Sequence, residues 1–116
     1  MRAEPITEKE RWQRIQACVM DARSLLKCRT ERQFLADGVL SDAVLMLFST
    51  IGEEVRYANE AVLAKYTYPW HQVRAFRNLI AHDYFGVRLP AVWAIVQIDL
   101  PPLEAIVDKI IRTEFP

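Results

Sequence analysis

The sequence predicts an all-α protein, an antiparallel bundle of five or six helices, and three observations carry that reading. Apolar residues recur at three- and four-residue steps along nearly the whole chain, the period of a helix with one buried face. Glycine is scarce, 3 residues in 116, which disfavours compact folds built on glycine-rich phosphate loops. Hydrophobic residues make up 52% of the chain, enough to form a core without disulfide or metal staples. The length suits one domain, since domains commonly run to about 100–150 residues. Residues 1–116 accordingly read as a single domain without repeat, linker or low-complexity segment.

The elements follow in order. Thr7-Glu8-Lys9-Glu10 has the form of a capping box and opens the first helix. Trp12, Ile15, Val19, Ala22 and Leu26 continue it as one stripe to about Cys28. Thr30-Glu31-Arg32-Gln33 is a second capping box, for a short helix closing near Gly38. A long helix is expected over residues 41–65, with Val44, Leu47, Ile51, Val55, Ala58 and Val62 inward. Residues 66–69 break the pattern, and Pro69 suits the first turn of the next helix. That helix is expected to reach about Phe85, where Gly86 is a stop signal. Pro90 restarts a helix through about Gln97, with Val92, Trp93 and Val96 inward. Pro101-Pro102 separates it from a last helix carrying Leu103, Ile106, Val107, Ile110 and Ile111.

The formal net charge is zero, so nucleic-acid binding would have to come from a local patch, because phosphate affinity depends on neutralised charge. Residues 65–88 supply one: Lys65, Arg74, Arg77 and Arg88 stand against Asp83 alone. Cys18 and Cys28 fall on one predicted helix about 15 Å apart, too far to bridge, and read as idle thiols suited to a reducing compartment. The N-terminus carries charge and no apolar leader. The longest apolar run, residues 43–48, is far short of a membrane span. A soluble, cytoplasmic protein with no membrane association is expected.

One stretch resists an explanation by packing alone: Arg77-Asn78-Leu79-Ile80-Ala81-His82-Asp83-Tyr84. At about 100° per residue, Asn78 and His82 lie on one face of a helix, and Arg77 and Tyr84 share a neighbouring one. Polar groups at a helix boundary are costly without partners or purpose. The purpose such a set suits is metal-free RNA cleavage. An imidazole titrating near neutrality can take the proton of a ribose 2′-OH. A permanently charged guanidinium can hold the phosphate and stabilise its added charge in the transition state. Asn78 can orient the phosphate or the ring. One histidine does not easily serve as both base and acid, and a symmetric dimer would supply a second. Arg-x4-His alone is a weak signal, because such pairs arise often at surface or capping positions.

Over a wider span, Pro69-Trp70 followed by Arg77-Asn78-Leu79-Ile80-Ala81-His82-Asp83-Tyr84-Phe85-Gly86-Val87 resembles the signature of HepT-like proteins of the HEPN superfamily. Asp42-Ala43-Val44 with Ile51-Gly52-Glu53 resembles that family's long second helix, and residues 92–103 its closing segment. The resemblance runs from about Trp12 to Ile111. It implies an α-helical homodimer whose Arg and His face each other across the dimer cleft and cleave RNA without metal or cofactor. It also implies a type VII toxin–antitoxin pair. The partner is an MntA-type nucleotidyltransferase antitoxin that neutralises the toxin by transferring AMP from ATP to the motif tyrosine. Carried over, Arg77 and His82 are catalytic, Asn78 is auxiliary and Tyr84 is the modified residue. Glu53 is auxiliary as a partner for Arg77 or His82. AMP phosphate beside Arg77 would pair with it and repel RNA. The rival reading is a non-catalytic HEPN module that binds the nucleotidyltransferase and nucleotide; a blander one is a helical dimerisation protein.

Other residues read more plainly. His71 and His82 share a face but stand about 16 Å apart along the axis, which excludes joint metal ligation, so no metal site is expected. Gly52 in a helix interior costs about 1 kcal/mol relative to alanine, so close packing or room for a neighbour is expected there. Glu54 reads as solvated, and Trp12, Trp70 and Trp93 as packing anchors. Asp83 lies beside His82 in sequence but on a different face.

Overall fold

The computed structural model describes residues 5–116, so residues 1–4, read above for a leader, lie outside the described residues. Those described contain seven helices: α1 (Glu8–Leu26), α2 (Glu31–Ala36), α3 (Gly38–Tyr57), α4 (Glu60–Lys65), α5 (Trp70–His82), α6 (Leu89–Ile98) and α7 (Leu100–Glu114). A 3-10 turn, Tyr84–Gly86, follows α5. The all-helical class is as expected, with more helices than the five or six anticipated.

Local chemistry sets the helix starts. The Thr30 box is complete: Gln33 N–H donates to Thr30 Oγ1 at 3.1 Å, and Thr30 N–H donates to Gln33 Oε1 at 2.9 Å. At Thr7 only half forms: Glu10 N–H donates to Thr7 Oγ1 at 3.1 Å, with no return bond from the Glu10 side chain. The neighbouring Glu8 carboxylate instead accepts from Trp12 Nε1 and from Asn59 N–H, each at 3.2 Å. Asp37 caps α3 by accepting from Leu40 N–H, so that helix starts at Gly38, earlier than expected. The first helix stops at Leu26, and Cys28 lies beyond it in the left-handed region, φ 65°. Both cysteines are free. Burial, then the charges of Asp21 and Glu54, push the Cys18 thiol up, which keeps it protonated and inert.

The expected helix over residues 41–65 is two helices. Its apolar period runs unbroken through Ala58 and Val62, both buried, so periodicity conceals the break. The cause is Asn59. Its side chain accepts from Ala61 N–H at 2.8 Å, and its own N–H turns to Glu8. Asparagine competes in this way for backbone groups a continuous helix would use. At the other junction, Pro101 and Pro102 do not separate helices but sit in the first turn of α7, where their missing N–H groups cost nothing.

The core forms where the stripes predicted it. Trp12, Ile15, Val19, Ala22 and Leu26 of α1 are all buried, facing α3 and α7. Trp12 meets Trp70 edge-on at 5.7 Å, and Phe34 meets Trp93 at the same separation; such pairs add to the burial of their area. The tryptophans are packing anchors. Glu54, expected in solvent, is mostly covered and accepts from Arg11 Nη1 at 3.0 Å, tying α1 to α3. No single helix among the described residues is long and apolar enough to cross a membrane. The α6–α7 pair reaches that length and composition together but is bent by 49°. Val92, Val96, Leu100, Leu103, Val107 and Ile110 of that pair lie in the core.

The pairing that positions the site is α3 on α5. Asp42 meets Tyr84 just past the end of α5, and Glu53 meets Arg77 within it, so the two helices run antiparallel. Gly52 sets how closely they approach. A Cβ there would press on the Arg77 side chain and lie 2.9 Å from the Val73 carbonyl oxygen. Close packing, anticipated from the glycine itself, is thus combined with room for a neighbour, and that neighbour is Arg77.

Candidate active site

Only Trp70 and Ile80 of α5 are fully buried. Val73, Arg74, Phe76 and Arg77 are half-covered, and His71, Ala75, Asn78, Leu79 and His82 are exposed. The helix therefore presents a whole side outward, and that side carries most of the residues singled out in the sequence.

Gly52, Arg56, Arg74, Arg77, Asn78 and His82 line an open groove of about 470 Å³ along the α3–α5 seam. Arg77 is held in it by Glu53, with Nε 2.7 Å from Oε2. Both atoms are enclosed, but the N–H is not aligned on the oxygen, so charge attraction rather than a formed hydrogen bond holds the pair. The carboxylate takes the stem side of the guanidinium. Its Nη1 end turns to Asn78 Oδ1 at 3.4 Å, the outer limit of a hydrogen bond. Arg77, Asn78 and His82 are brought to one water-accessible surface, with Glu53 beside Arg77 rather than His82. His71 stands exposed in the first turn of α5 and does not line the groove.

Tyr84 departs from expectation. It does not continue the helical face of Arg77, because α5 ends at His82 and the backbone breaks at Asp83, φ −147° and ψ 64°. Asp83 Oδ1 accepts from Gly86 N–H at 3.1 Å, which winds the 3-10 turn and closes the helix three residues before Phe85. Tyr84 is placed instead by α3: its hydroxyl donates to Asp42 Oδ1. That hydrogen bond, then desolvation and the Asp42 charge, push the phenol pKa up, since ionising it would set two negative charges together. Asp42→Asn is expected to bring part of the tyrosinate absorbance to lower pH in an alkaline titration. Superimposable curves for the two proteins would mean the bond is not formed in solution.

Sequence reasoning assigned no role to Asp42 or Arg56, and took Arg74 only as part of a charged stretch. Arg56 could have been found one turn beyond Gly52 on the same face of α3. Asp42 had no such signal, since its partner is 42 residues away. A second cleft lies between Phe48, Phe76, Ile95 and Leu103, on the other side of the α3–α5 contact. Tyr68 and Asp99 are its only titratable groups, and the Tyr68 hydroxyl is spent on the Asp99 carbonyl at 3.2 Å. The candidate catalytic side chains Arg77, Asn78 and His82 line the groove and not this cleft. No group of three or more His, Cys, Asp or Glu among the described residues is placed to hold a metal ion.

Comparison with known proteins points to one family. The family model for Ribonuclease HepT-like matches residues 15–110. A Methanocaldococcus jannaschii protein named as a gamma-glutamylcyclotransferase and candidate RNase is 33% identical over 87 residues, 74% of this chain; the match spans 39% of that protein's length. A candidate RNase of Caldanaerobacter subterraneus is 30% identical over 82 residues, covering 70% of this chain and 73% of the relative. The probable ribonuclease HepT of Thermococcus cleftensis is 30% identical over 78 residues, 66% of this chain and 71% of its own. No solved structure matches significantly.

Proposed function

The chain belongs to the HepT-like ribonuclease family, and from that premise we propose that it is a metal-independent endoribonuclease, the toxin of a toxin–antitoxin pair acting in the cytoplasm. One observation carries the reading: Arg77, Asn78 and His82 share an open groove in which Glu53 orients the guanidinium.

In the proposed reaction His82 takes the 2′-OH proton, and the ribose oxygen attacks the adjacent phosphorus. The 5′-oxygen of the next nucleotide leaves, taking up a proton, and a 2′,3′-cyclic phosphate remains. Arg77 binds the phosphate and stabilises the charge gathered on it, and Asn78 holds the phosphate or ring in register. The second proton transfer falls to the His82 of a second copy. Support for a symmetric dimer comes from apolar side chains left uncovered on the helices that form the groove, Leu79 on α5 and Met46 on α3, and from Phe85, 99% exposed in the turn after α5. Exposed apolar groups gathered in one region commonly mark an interface.

Tyr84 is proposed as the residue to which a nucleotidyltransferase antitoxin transfers AMP from ATP, releasing pyrophosphate. The phenol is exposed at one end of the α3–α5 seam, and a phosphate attached there would compete with RNA for the guanidinium. The test is incubation of the purified protein with a labelled oligoribonucleotide in EDTA. Cleavage to fragments ending in a 2′,3′-cyclic phosphate is expected. Intact RNA, together with a stable complex between this protein and its nucleotidyltransferase, would instead identify a non-catalytic binding module.

A further inference from the structure

The groove carries more positive charge than the proposed cleavage step uses. One guanidinium, that of Arg77, serves the reacting phosphate, yet Arg56 and Arg74 line the same groove. Arg74 lies three residues before Arg77 on α5, so the two side chains are neighbours along the helix. Arg56 lies four residues after Gly52 on α3. Because the helices are antiparallel, Arg56 and Arg74 both lie toward one end of the groove, and the Tyr84–Asp42 pair stands toward the opposite end of the seam.

Neither arginine is committed to the fold. Arg74 Nη2 donates to Glu60 Oε1 at 2.9 Å, but that glutamate side chain is 75% exposed, and so open a pair is weak and exchangeable. Arg74 Nε is enclosed and has no acceptor among the described residues. Arg56 leans on the Tyr57 ring at 5.3 Å and pairs with no carboxylate among the described residues. Glu53, on the α3 side of the seam, is occupied by Arg77. Two available planar donors, one from each facing helix, form a fork suited to phosphate oxygens.

We propose that Arg56 and Arg74 form a second phosphate subsite, which holds the nucleotide flanking the cleaved bond and makes a single strand of several nucleotides the preferred substrate over a dinucleotide. This rests on the ribonuclease reading above. The geometry favours single-stranded RNA, because successive phosphates of one strand can follow the seam from Arg77 to the Arg56–Arg74 end.

The experiment compares a dinucleoside monophosphate, which has only the reacting phosphate, with a ten-nucleotide strand containing the same step. Arg56→Gln, Arg74→Gln and the double variant are assayed after their melting curves are matched to wild type. The double variant is expected to lose at least ten-fold more kcat/KM on the long strand than on the dinucleotide, with Arg56→Lys and Arg74→Lys largely restoring it. In a His82→Ala background, the salt dependence of strand binding should become shallower by about 0.7 in log–log slope for each arginine removed. Equal losses on both substrates, or an unchanged slope, overturn the subsite. If the double variant fails to fold, Arg56→Gln alone decides, through the same ratio and slope. Wild-type protein that cleaves neither substrate defeats the ribonuclease reading instead, and the slope still reports on the subsite.

Discussion

Gly52→Ala is expected to reduce RNA cleavage about a hundred-fold while costing at most about 2 kcal/mol of stability. The added methyl meets the Arg77 side chain and the Val73 carbonyl. One of these is backbone, and the other is the root of a side chain, so neither can swing aside. Relief requires α5 to move outward as a body. Overpacking of this kind typically costs about 1–3 kcal/mol, and alanine returns about 1 kcal/mol in helix propensity. The displacement matters more for function, since a shift of about 1 Å in a positioned catalytic group can lower a rate about 10²-fold. It would also pull Arg77 from Glu53, now 2.7 Å away. Urea denaturation and kcat/KM on an oligoribonucleotide measure the two effects separately. An alanine protein with undiminished cleavage would show that the helices do not meet closely at this glycine.

His82→Ala is expected to have the largest effect on chemistry and almost none on stability. General acid–base catalysis contributes about 10²–10⁴-fold, and a dimer that uses two copies of the histidine loses both. The side chain is exposed at the last position of α5, where substitutions usually fall within about ±0.5 kcal/mol. The expected protein therefore melts like wild type, binds RNA and does not cut it. Full ribonuclease activity in a cleanly purified His82→Ala protein would refute the catalytic assignment. Arg77→Lys should separate charge from shape: lysine keeps the charge but lacks the planar fork, so binding should survive better than turnover.

Much of the architecture was legible because its causes are local. Thr30 and Gln33 lie three residues apart, and their reciprocal hydrogen bonds need nothing from the rest of the chain. The α1 stripe is a matter of period, and all five of its residues are buried. Where a distant residue ended a helix or redirected a side chain, that pattern was misleading. The break at Asn59 is reinforced by Glu8 of α1, and the apolar pattern across it continues as if the helix did. Tyr84 was placed on the face of Arg77 by assuming that α5 continued; Asp83 ends it, and Asp42 of another helix receives the phenol.

What the chain determined by itself is therefore the all-helical class, most helix starts, the buried stripes and the presence of an arginine, an asparagine and a histidine on one short helix. Capping and periodicity act within a few residues, so they are written in the order of the amino acids. Only the tertiary structure decided that Glu53 stands against Arg77 rather than His82, that Asp42 holds Tyr84, and that Arg56 and Arg74 line one groove. Those pairings join positions from 18 to 42 residues apart. They depend on the register and closeness of α3 on α5, which are set by the missing side chain at Gly52 and by the volumes packed around it.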